Sequence, residues 1–232
     1  MEPYYDRDGI VLYLGDCLEI LPELGQDFDL AVADPPYTFG LASSSGERKA
    51  GSWGDLMNGA RWYGDWLAEL KRHTAARQGA AWVFNSWRSF PVLAKAAHDV
   101  WPIESLLVWD KMSIGPGGTR GLRPRYELVA LHGQPGFRIP DRGVPDIWEV
   151  KRAPQRPDRH PAEKPYALVH KLIAATGLHY DEDYVVLDPF AGSGVTLLAA
   201  RGLGYRAVGI EIEERYAEAI ARRLEELTCE PT

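Results

Sequence analysis

Two short Asp-Pro segments, far apart in the 232-residue chain, constrain its fold more than any other feature. Asp34-Pro35-Pro36-Tyr37 follows the largely apolar run 28–33, and Asp-Pro-Phe-Ala-Gly-Ser-Gly at 188–194 follows the run 184–187. Each segment places an acid, a rigid proline and an aromatic residue at the carboxyl end of a predicted strand. Open α/β sheets bind ligands at that edge, so two such corners predict two ligands that meet there.

Strand and helix patterns alternate along nearly the whole sequence. Strands are predicted at 10–14, 28–33, 80–84, 103–109, 126–131, 185–187 and 205–210, and helices at 16–21, 60–77, 88–98, 165–176, 195–201 and 213–227. This alternation predicts a single α/β domain over 1–232, with a mainly parallel sheet covered by helices on both faces. The Ser- and Gly-rich stretch 38–59 and the stretch 111–160, apart from the strand predicted at 126–131, are predicted to supply long loops.

The net charge of −7 argues against a nucleic-acid partner, but the charges are unevenly distributed along the chain. Residues 111–164 contain 11 Lys and Arg against 6 Asp and Glu, which leaves a balance of −12 on the rest of the chain. An acidic body can still bind phosphate through a local basic patch, because the contacts are made by the patch. The basic segment therefore keeps a nucleic-acid partner open, beside the alternative of a solvated loop.

Few residues of other functional classes stand out. Cys17 and Cys229 are the only cysteines, so neither a disulfide framework nor a cysteine zinc site is expected. No His, Asp and Glu cluster has the spacing of metal ligands, and His160 is expected to be a turn residue. Without a signal-peptide pattern or a run of about 20 apolar residues, the expected location is the cytoplasm.

The segment 188–194 has the glycine-rich turn of a nucleotide-binding strand–turn–helix unit. Glu211 ends the next predicted strand, where an acid can accept hydrogen bonds from both ribose hydroxyls. A dinucleotide and S-adenosylmethionine both suit this arrangement. Leu197 replaces the third glycine of the dinucleotide fingerprint, and the Asp188 carboxylate would repel a pyrophosphate. The same carboxylate favours the positively charged S-adenosylmethionine.

Together the two segments resemble the amino-methyltransferases of DNA, which modify adenine N6 or cytosine N4. The catalytic tetrapeptide Asp34 to Tyr37 precedes the cofactor turn, as in the circularly permuted group called the beta class. Gly15-Asp16 matches that group's acid beside the cofactor adenine, and the segment 160–165, His-Pro-Ala-Glu-Lys-Pro, is similar to its element near the cofactor's methionine end. The resemblance covers nearly the whole chain.

The resemblance implies a Rossmann-like methyltransferase sheet, S-adenosylmethionine as cofactor and DNA as substrate. It implies catalytic roles for Asp34, Pro35, Pro36 and Tyr37. The implied cofactor-binding residues are Asp16, Lys164, Asp188, Pro189, Phe190, Gly192, Ser193, Gly194 and Glu211.

The residue types of the first corner also suit this chemistry. The exocyclic amine of a base is a poor nucleophile, because its lone pair is conjugated into the ring. The Asp34 carboxylate and the Pro35 carbonyl can accept its two hydrogens, and proline fixes the backbone beforehand. Tyr37 offers a ring on which a base flipped out of the duplex can stack.

DNA contacts are expected from the basic stretch. The candidate phosphate-binding residues are Arg120, Arg123, Arg125, Arg152, Arg156 and Arg159. Only the stretches 38–59 and 111–159 are available for target recognition, which leaves the recognised sequence open. Dimerisation through an aromatic face that includes Trp53, Trp62, Tyr63 and Trp66 is an alternative to a core role for Trp62 and Trp66.

Adenine N6 is the expected target, since cytosine enzymes similar to this chain commonly have Ser in place of Asp34. Cytosine N4 is the nearest alternative, followed by a nicotinamide-dependent oxidoreductase and a catalytically silent DNA-binding module. A cysteine attack on cytosine C5 is not expected, because Cys17 lies on a predicted helix and Cys229 at the C-terminus. A restriction partner, a phage origin and a solitary methyltransferase all remain open.

Overall fold

The computed structural model describes residues 1–37, 53–114, 121–154, 162–177 and 183–228. Within these ranges, the strands are β1 (Tyr5–Arg7), β2 (Ile10–Leu14), β3 (Leu30–Ala33), β4 (Ala80–Asn85), β5 (Ser105–Asp110), β6 (Tyr126–Gly133), β7 (Ile147–Glu149), β8 (Val185–Asp188) and β9 (Arg206–Glu211). The helices are α1 (Cys17–Ile20), α2 (Trp53–Thr74), α3 (Phe90–Asp99), α4 (Tyr166–Thr176), α5 (Val195–Gly202) and α6 (Glu214–Thr228). None of these helices has the combination of length and apolar character needed to cross a membrane.

The strands form one sheet in the order β1-β2-β9-β8-β3-β4-β6-β5-β7. The run from β2 to β4 is parallel throughout, so the carboxyl ends of five strands share one edge. β6 is antiparallel to both β4 and β5, which brings the start of β6 and the end of β5 to that same edge. Residues following or opening seven strands can therefore meet around one cleft.

Helices cover both faces of the sheet, because side chains along its central strands alternate between two buried clusters. In β3, Leu30 and Val32 point to one cluster, and Ala31 and Ala33 point to the other. The first cluster contains residues of α4, α5 and α6, and the second contains residues of α1, α2 and α3. Strands buried on both faces explain the continuous apolar runs in the sequence.

The predicted α/β architecture is confirmed, with a mainly parallel sheet, and every predicted helix and strand except α2 lies within a few residues of its expected bounds. The predicted loop at 38–59 is wrong over 53–59, where α2 has already begun. Gly54, Asn58 and Gly59 have low helix propensity and hid this first part of the helix. Residues 38–52 lie outside the described residues.

Two short strands were missed. β1 pairs with β2 through a hairpin whose Asp8 and Gly9 both have positive φ, at 52° and 76°. An Asp-Gly pair is a typical signal for this turn, so the sequence did carry it. β7 lies within the stretch 111–160 predicted as loop and pairs with β5 at the edge of the sheet. Its three residues are too few to show an alternating pattern.

Candidate active site

A cleft of about 1820 Å³ lies at the shared edge of the sheet and includes both Asp-Pro corners. Such a volume exceeds that of a typical single small-molecule pocket, which is roughly 300–1,000 Å³. It therefore has room for two ligands side by side. Of the predicted cofactor and catalytic residues, the cleft is lined by Asp16, Asp34, Pro35, Pro36, Tyr37, Lys164, Asp188, Pro189, Phe190, Gly192, Ser193 and Glu211.

The glycine turn between β8 and α5 has a backbone that only glycine accommodates well. Gly192 and Gly194 have φ values of 51° and 74°. A Cβ atom on Gly194 would lie 2.9 Å from two side-chain carbons of Ile220, so any other residue there would force α6 away. The glycine turn therefore lets a ligand in the cleft come close to its backbone, and it packs closely against α6.

Glu211 is held with its carboxylate against the glycine turn. Its Oε2 accepts a hydrogen bond from the Gly192 amide at 2.7 Å, and its Oε1 accepts one from the Glu213 amide at 2.8 Å. Each oxygen of a carboxylate has a further lone pair. Glu211 is thus oriented before any ligand arrives and can still accept hydrogen bonds from hydroxyl groups in the cleft.

Asp188 is a buried carboxylate without a cationic neighbour in ion-pair contact among the described residues. Burial raises its pKa to about 7, against the opposing effect of hydrogen bonds from Thr196 and the Phe190 amide, and the charges of Asp34 and Glu211 raise it further. The Phe190 amide donates to Oδ1 at 3.0 Å. A buried carboxylate of this kind would be stabilised in its ionised form by a cationic ligand.

Asp16 is the N-cap of α1, where its Oδ1 accepts a hydrogen bond from the Leu18 amide at 2.9 Å. It also lines the cleft. Asp16 thus fixes the start of the helix that follows β2, and its contact with a cofactor stays a prediction.

The Asp34 corner follows β3 directly, and the two prolines end that strand because they lack a backbone N–H. Tyr37 donates its hydroxyl to Asp34 Oδ1 at 3.1 Å. Burial, together with the neighbouring Asp34 charge, raises the pKa of Tyr37 well above its usual range, so the phenol remains a donor. Burial also raises the pKa of Asp34, against the opposing effect of the Lys164 ammonium.

Lys164 contacts the catalytic corner. Its Nζ donates to Asp34 Oδ2 at 2.6 Å and lies 5.0 Å and 5.6 Å from the ring centres of Phe84 and Tyr37. Burial opposes its charge, but the carboxylates of Asp34 and Glu127 outweigh that effect and raise its pKa. Its assignment to the cofactor stays a prediction, while the contact made in the structure is with Asp34.

A chain of four charges, two of them buried and two partly buried, extends from this corner to β5 and β6. Asp34, Lys164, Glu127 and Lys111 alternate in sign, with Lys164 Nζ 3.5 Å from Glu127 Oε2 and Lys111 Nζ 2.8 Å from Glu127 Oε1. Burial acts to raise the pKa of Glu127, but the two ammonium groups outweigh it and lower the pKa. Neither Glu127 nor Lys111 was predicted, although both line the cleft.

The structure divides the six candidate DNA-contacting arginines into three groups. Arg123 and Arg152 line the cleft. Arg125 instead forms a double contact with Asp110, at 2.7 Å from each carboxylate oxygen. Arg120, Arg156 and Arg159 lie outside the described residues, as do His160 and Pro161. Beside Arg123 the cleft wall includes the fully exposed side chain of Leu122 and, from the end of β4, the half-exposed Trp87.

Other routes of catalysis find little support in this cleft. Burial, with Asp16 adding to it, raises the pKa of Cys17 to about 12, which keeps its thiol protonated and unreactive. Cys229 lies outside the described residues. Within the described part of the chain, no group of His, Cys, Asp or Glu side chains is arranged to hold a metal ion.

Comparison with known proteins identifies the family. Residues 138–222 match the N6_N4_Mtase family model, described as DNA methylase. The Type II methyltransferase M.ScaI of Streptomyces caespitosus is 29% identical over 97% of this chain and 84% of its own length. Putative methylase YubD of Escherichia coli strain K12 is 30% identical over 90% of this chain and 88% of its own.

A solved structure has the same fold. The PvuII DNA methyltransferase, described as cytosine-N4-specific, superposes with a TM-score of 0.78 over 98% of this chain and 93% of its own, at 19% identity. The family-model match and the relative at 30% identity establish that the chain belongs to the DNA methylase family, the S-adenosylmethionine-dependent amino-methyltransferases that act on adenine N6 or cytosine N4 of DNA.

Proposed function

We propose that this DNA methyltransferase modifies adenine N6 within a short DNA sequence, with the base bound at Asp34 and the cofactor at the glycine turn. The observation that carries the proposal is the single cleft shared by the two corners. Asp34, where similar cytosine enzymes commonly have Ser, favours adenine over cytosine. Family membership favours methyl transfer over nicotinamide-dependent oxidation.

The residues at the glycine turn fit S-adenosylmethionine. Asp188 is a buried carboxylate that gains an oppositely charged partner if the cofactor's ammonium binds nearby. A pyrophosphate in the same place would repel it. Glu211 retains lone pairs for the ribose hydroxyls after binding two backbone amides. We assign Asp16, Pro189, Phe190, Gly192, Ser193 and Gly194 to the same cofactor site, with Lys164 next to it.

The catalytic corner orients and deprotonates the amine. When bound, S-adenosylmethionine supplies an electrophilic methyl group. The Asp34 carboxylate and the Pro35 carbonyl accept the two amine hydrogens, which draws the nitrogen out of conjugation. The nitrogen loses one of its protons on methylation, and Asp34 can hold that proton before it passes to solvent. Pro36 fixes the turn and Tyr37 stacks on the base.

Arginines near the cleft are proposed to hold the DNA backbone around the flipped base. Arg123 and Arg152 are the best placed of the six candidates, because both line the cleft. Arg125 is engaged with Asp110 and is proposed to act through loop geometry. Arg120, Arg156 and Arg159 remain candidates from the sequence, and the stretches 38–52 and 111–160 are the proposed recognition region.

Two further proposals concern setting and assembly. We propose the cytoplasm as the location, because the substrate is DNA, and cell fractionation tests it. We also propose a homodimer, on the family resemblance; light scattering of the purified protein would contradict it by showing a monomer at micromolar concentration. Tyr63 and Trp66 cannot form its interface, since both are fully buried within the monomer.

The first prediction concerns the modified base. DNA methylated by the enzyme should yield N6-methyladenine when digested to nucleosides and analysed by mass spectrometry. N4-methylcytosine as the product would contradict the adenine assignment and leave the family assignment intact. Long-read sequencing of the same DNA would give the sequence context.

The second prediction separates the two corners. Asp34→Asn should lower methyl transfer from labelled cofactor to DNA by about 100-fold or more. An amide oxygen accepts the amine hydrogen more weakly than a carboxylate does, and it cannot take up the amine proton. Cofactor affinity, measured by calorimetry, should be retained. Asp65→Asn, at an exposed position on α2, is the matched control. Loss of cofactor binding by Asp34→Asn would show that the corners are misassigned.

The third prediction concerns pH. Because burial raises the pKa of Asp188 to about 7, lowering the pH below 7 protonates the carboxylate that the cationic cofactor needs. The cofactor dissociation constant should therefore rise about tenfold from pH 8 to pH 6. Asp188→Asn should bind weakly at both pH values and remove this dependence. A wild-type constant that does not change between these pH values would contradict the role of Asp188.

The fourth prediction concerns DNA. Arg152→Ala should weaken DNA binding and reduce the slope of log affinity against log salt by about 0.9, the value for one lost phosphate contact. Arg61→Ala, an exposed arginine on α2, serves as the control and should leave the slope unchanged. Equal slopes for wild type and Arg152→Ala would remove Arg152 from the DNA interface.

A further inference from the structure

Both oxygens of the proposed catalytic carboxylate are already engaged. Asp34 Oδ1 accepts the Tyr37 hydroxyl at 3.1 Å, and Oδ2 accepts the Lys164 ammonium at 2.6 Å. The distance to Lys164 is that of a strong, charge-assisted contact. Under the proposed function, the target amine must form its own hydrogen bond with this carboxylate.

A neutral amine competes poorly with an ammonium for a buried carboxylate. A hydrogen bond with a carboxylate is already strong, but an ammonium adds the attraction between two full charges, which a low local dielectric increases. The Asp34 and Lys164 side chains are only 26% and 9% exposed, so water does little to weaken their contact. An ammonium that stays in place would thus oppose binding of the amine at Oδ2.

Glu127 offers this ammonium a second acceptor. Its Oε2 is fully buried, has no hydrogen-bond partner and lies 3.5 Å from Lys164 Nζ. Its other oxygen accepts the Lys111 ammonium at 2.8 Å, which holds the carboxylate in place. A buried carboxylate oxygen without a hydrogen-bond donor costs free energy. Such an oxygen is expected to receive a donor at some stage of the reaction.

We propose that Glu127 is a positioning residue that takes over the Lys164 ammonium when the target amine binds Asp34. A displacement of roughly 1 Å would bring Nζ to the 2.7–2.9 Å distance of a charge-assisted hydrogen bond with Oε2. The inference rests on the proposed function, because it concerns how the proposed catalytic carboxylate becomes available to the base. Before the base binds, the Lys164 ammonium therefore occupies Asp34 Oδ2.

The surroundings support a short movement of this kind. The rings of Phe84 and Tyr37 lie within cation–π distance of the ammonium, at 5.0 Å and 5.6 Å. Glu127 is on β6, in register with Trp109 of β5, so its backbone is fixed by the sheet. The movement exchanges one carboxylate for another and leaves the total charge of the four groups at zero.

Two variants that remove the same Lys111–Glu127 ion pair should differ in their effect on methyl transfer. In Glu127→Gln the ammonium loses its anionic alternative and stays on Asp34. The single-turnover rate should then fall by about 10- to 100-fold, with cofactor and DNA dissociation constants within twofold of wild type. In Lys111→Met, Glu127 has only Lys164 as a cation, so Asp34 is released more readily. This variant should transfer at least about tenfold faster than Glu127→Gln.

A conservative variant and thermal unfolding separate this role from simple stabilisation of the fold. Glu127→Asp keeps a carboxylate and should recover part of the rate lost in Glu127→Gln at a similar melting temperature. If Glu127→Gln does not fold, the double variant Glu127→Gln/Lys164→Met replaces it. Without the ammonium there is nothing for Glu127 to receive, so this double variant should be no slower than Lys164→Met.

The outcomes distinguish the inference from the proposed function. If the wild type methylates DNA and Glu127→Gln does so at a rate within twofold of it, the inference alone is overturned. The same holds if Lys111→Met is as slow as Glu127→Gln. A double variant clearly slower than Lys164→Met would do the same. Absence of any transfer to DNA by the wild-type protein would overturn the proposed function and this inference with it.

Discussion

The parallel ladder through β9, β8 and β3 is the constraint on which the rest of the site depends. Val186 and Leu187 pair with Leu30 and Ala31, and Asp188 pairs with Gly209. These pairings place the ends of three strands side by side, so residues that are remote in sequence open onto the same cleft. A slip of one residue would turn each buried side chain to the wrong face of the sheet. The register is therefore fixed by burial on both faces as well as by hydrogen bonds.

Charge in the cleft is arranged unevenly, and the two halves have different consequences. The half around Asp34 is internally neutral, with two carboxylates matched by two ammonium groups. The half around Asp188 and Glu211 carries carboxylates that form no ion pair within the described residues. Removing charges from water costs free energy unless charges of opposite sign lie beside them. The charges around Asp34 are balanced by each other, whereas the carboxylates around Asp188 are balanced only when a cationic ligand binds. The difference agrees with a cationic cofactor on one side and a neutral base on the other.

Local sequence signals predicted much of the fold and both corners. Asp34, Asp188 and Glu211 each directly end or follow a short apolar run, and the glycines of 192–194 mark the turn, so neighbouring residues alone reveal them. Glu127 and Lys111 had no such signal. They reach the cleft only because β6 runs antiparallel between β4 and β5, a pairing between distant segments that no local pattern contains. The contact between Lys164 and Asp34, 130 residues apart, is of the same kind.

The double contact between Asp110 and Arg125 has a consequence beyond local stability. It joins the end of β5 to the residue before β6, and the Lys111 amide donates to the Arg125 carbonyl at 2.9 Å beside it. Residues 112–124 thus begin and end at neighbouring, hydrogen-bonded positions of the sheet. Substitutions within this stretch therefore need not disturb the paired ends of β5 and β6, from which Lys111 and Glu127 reach the cleft.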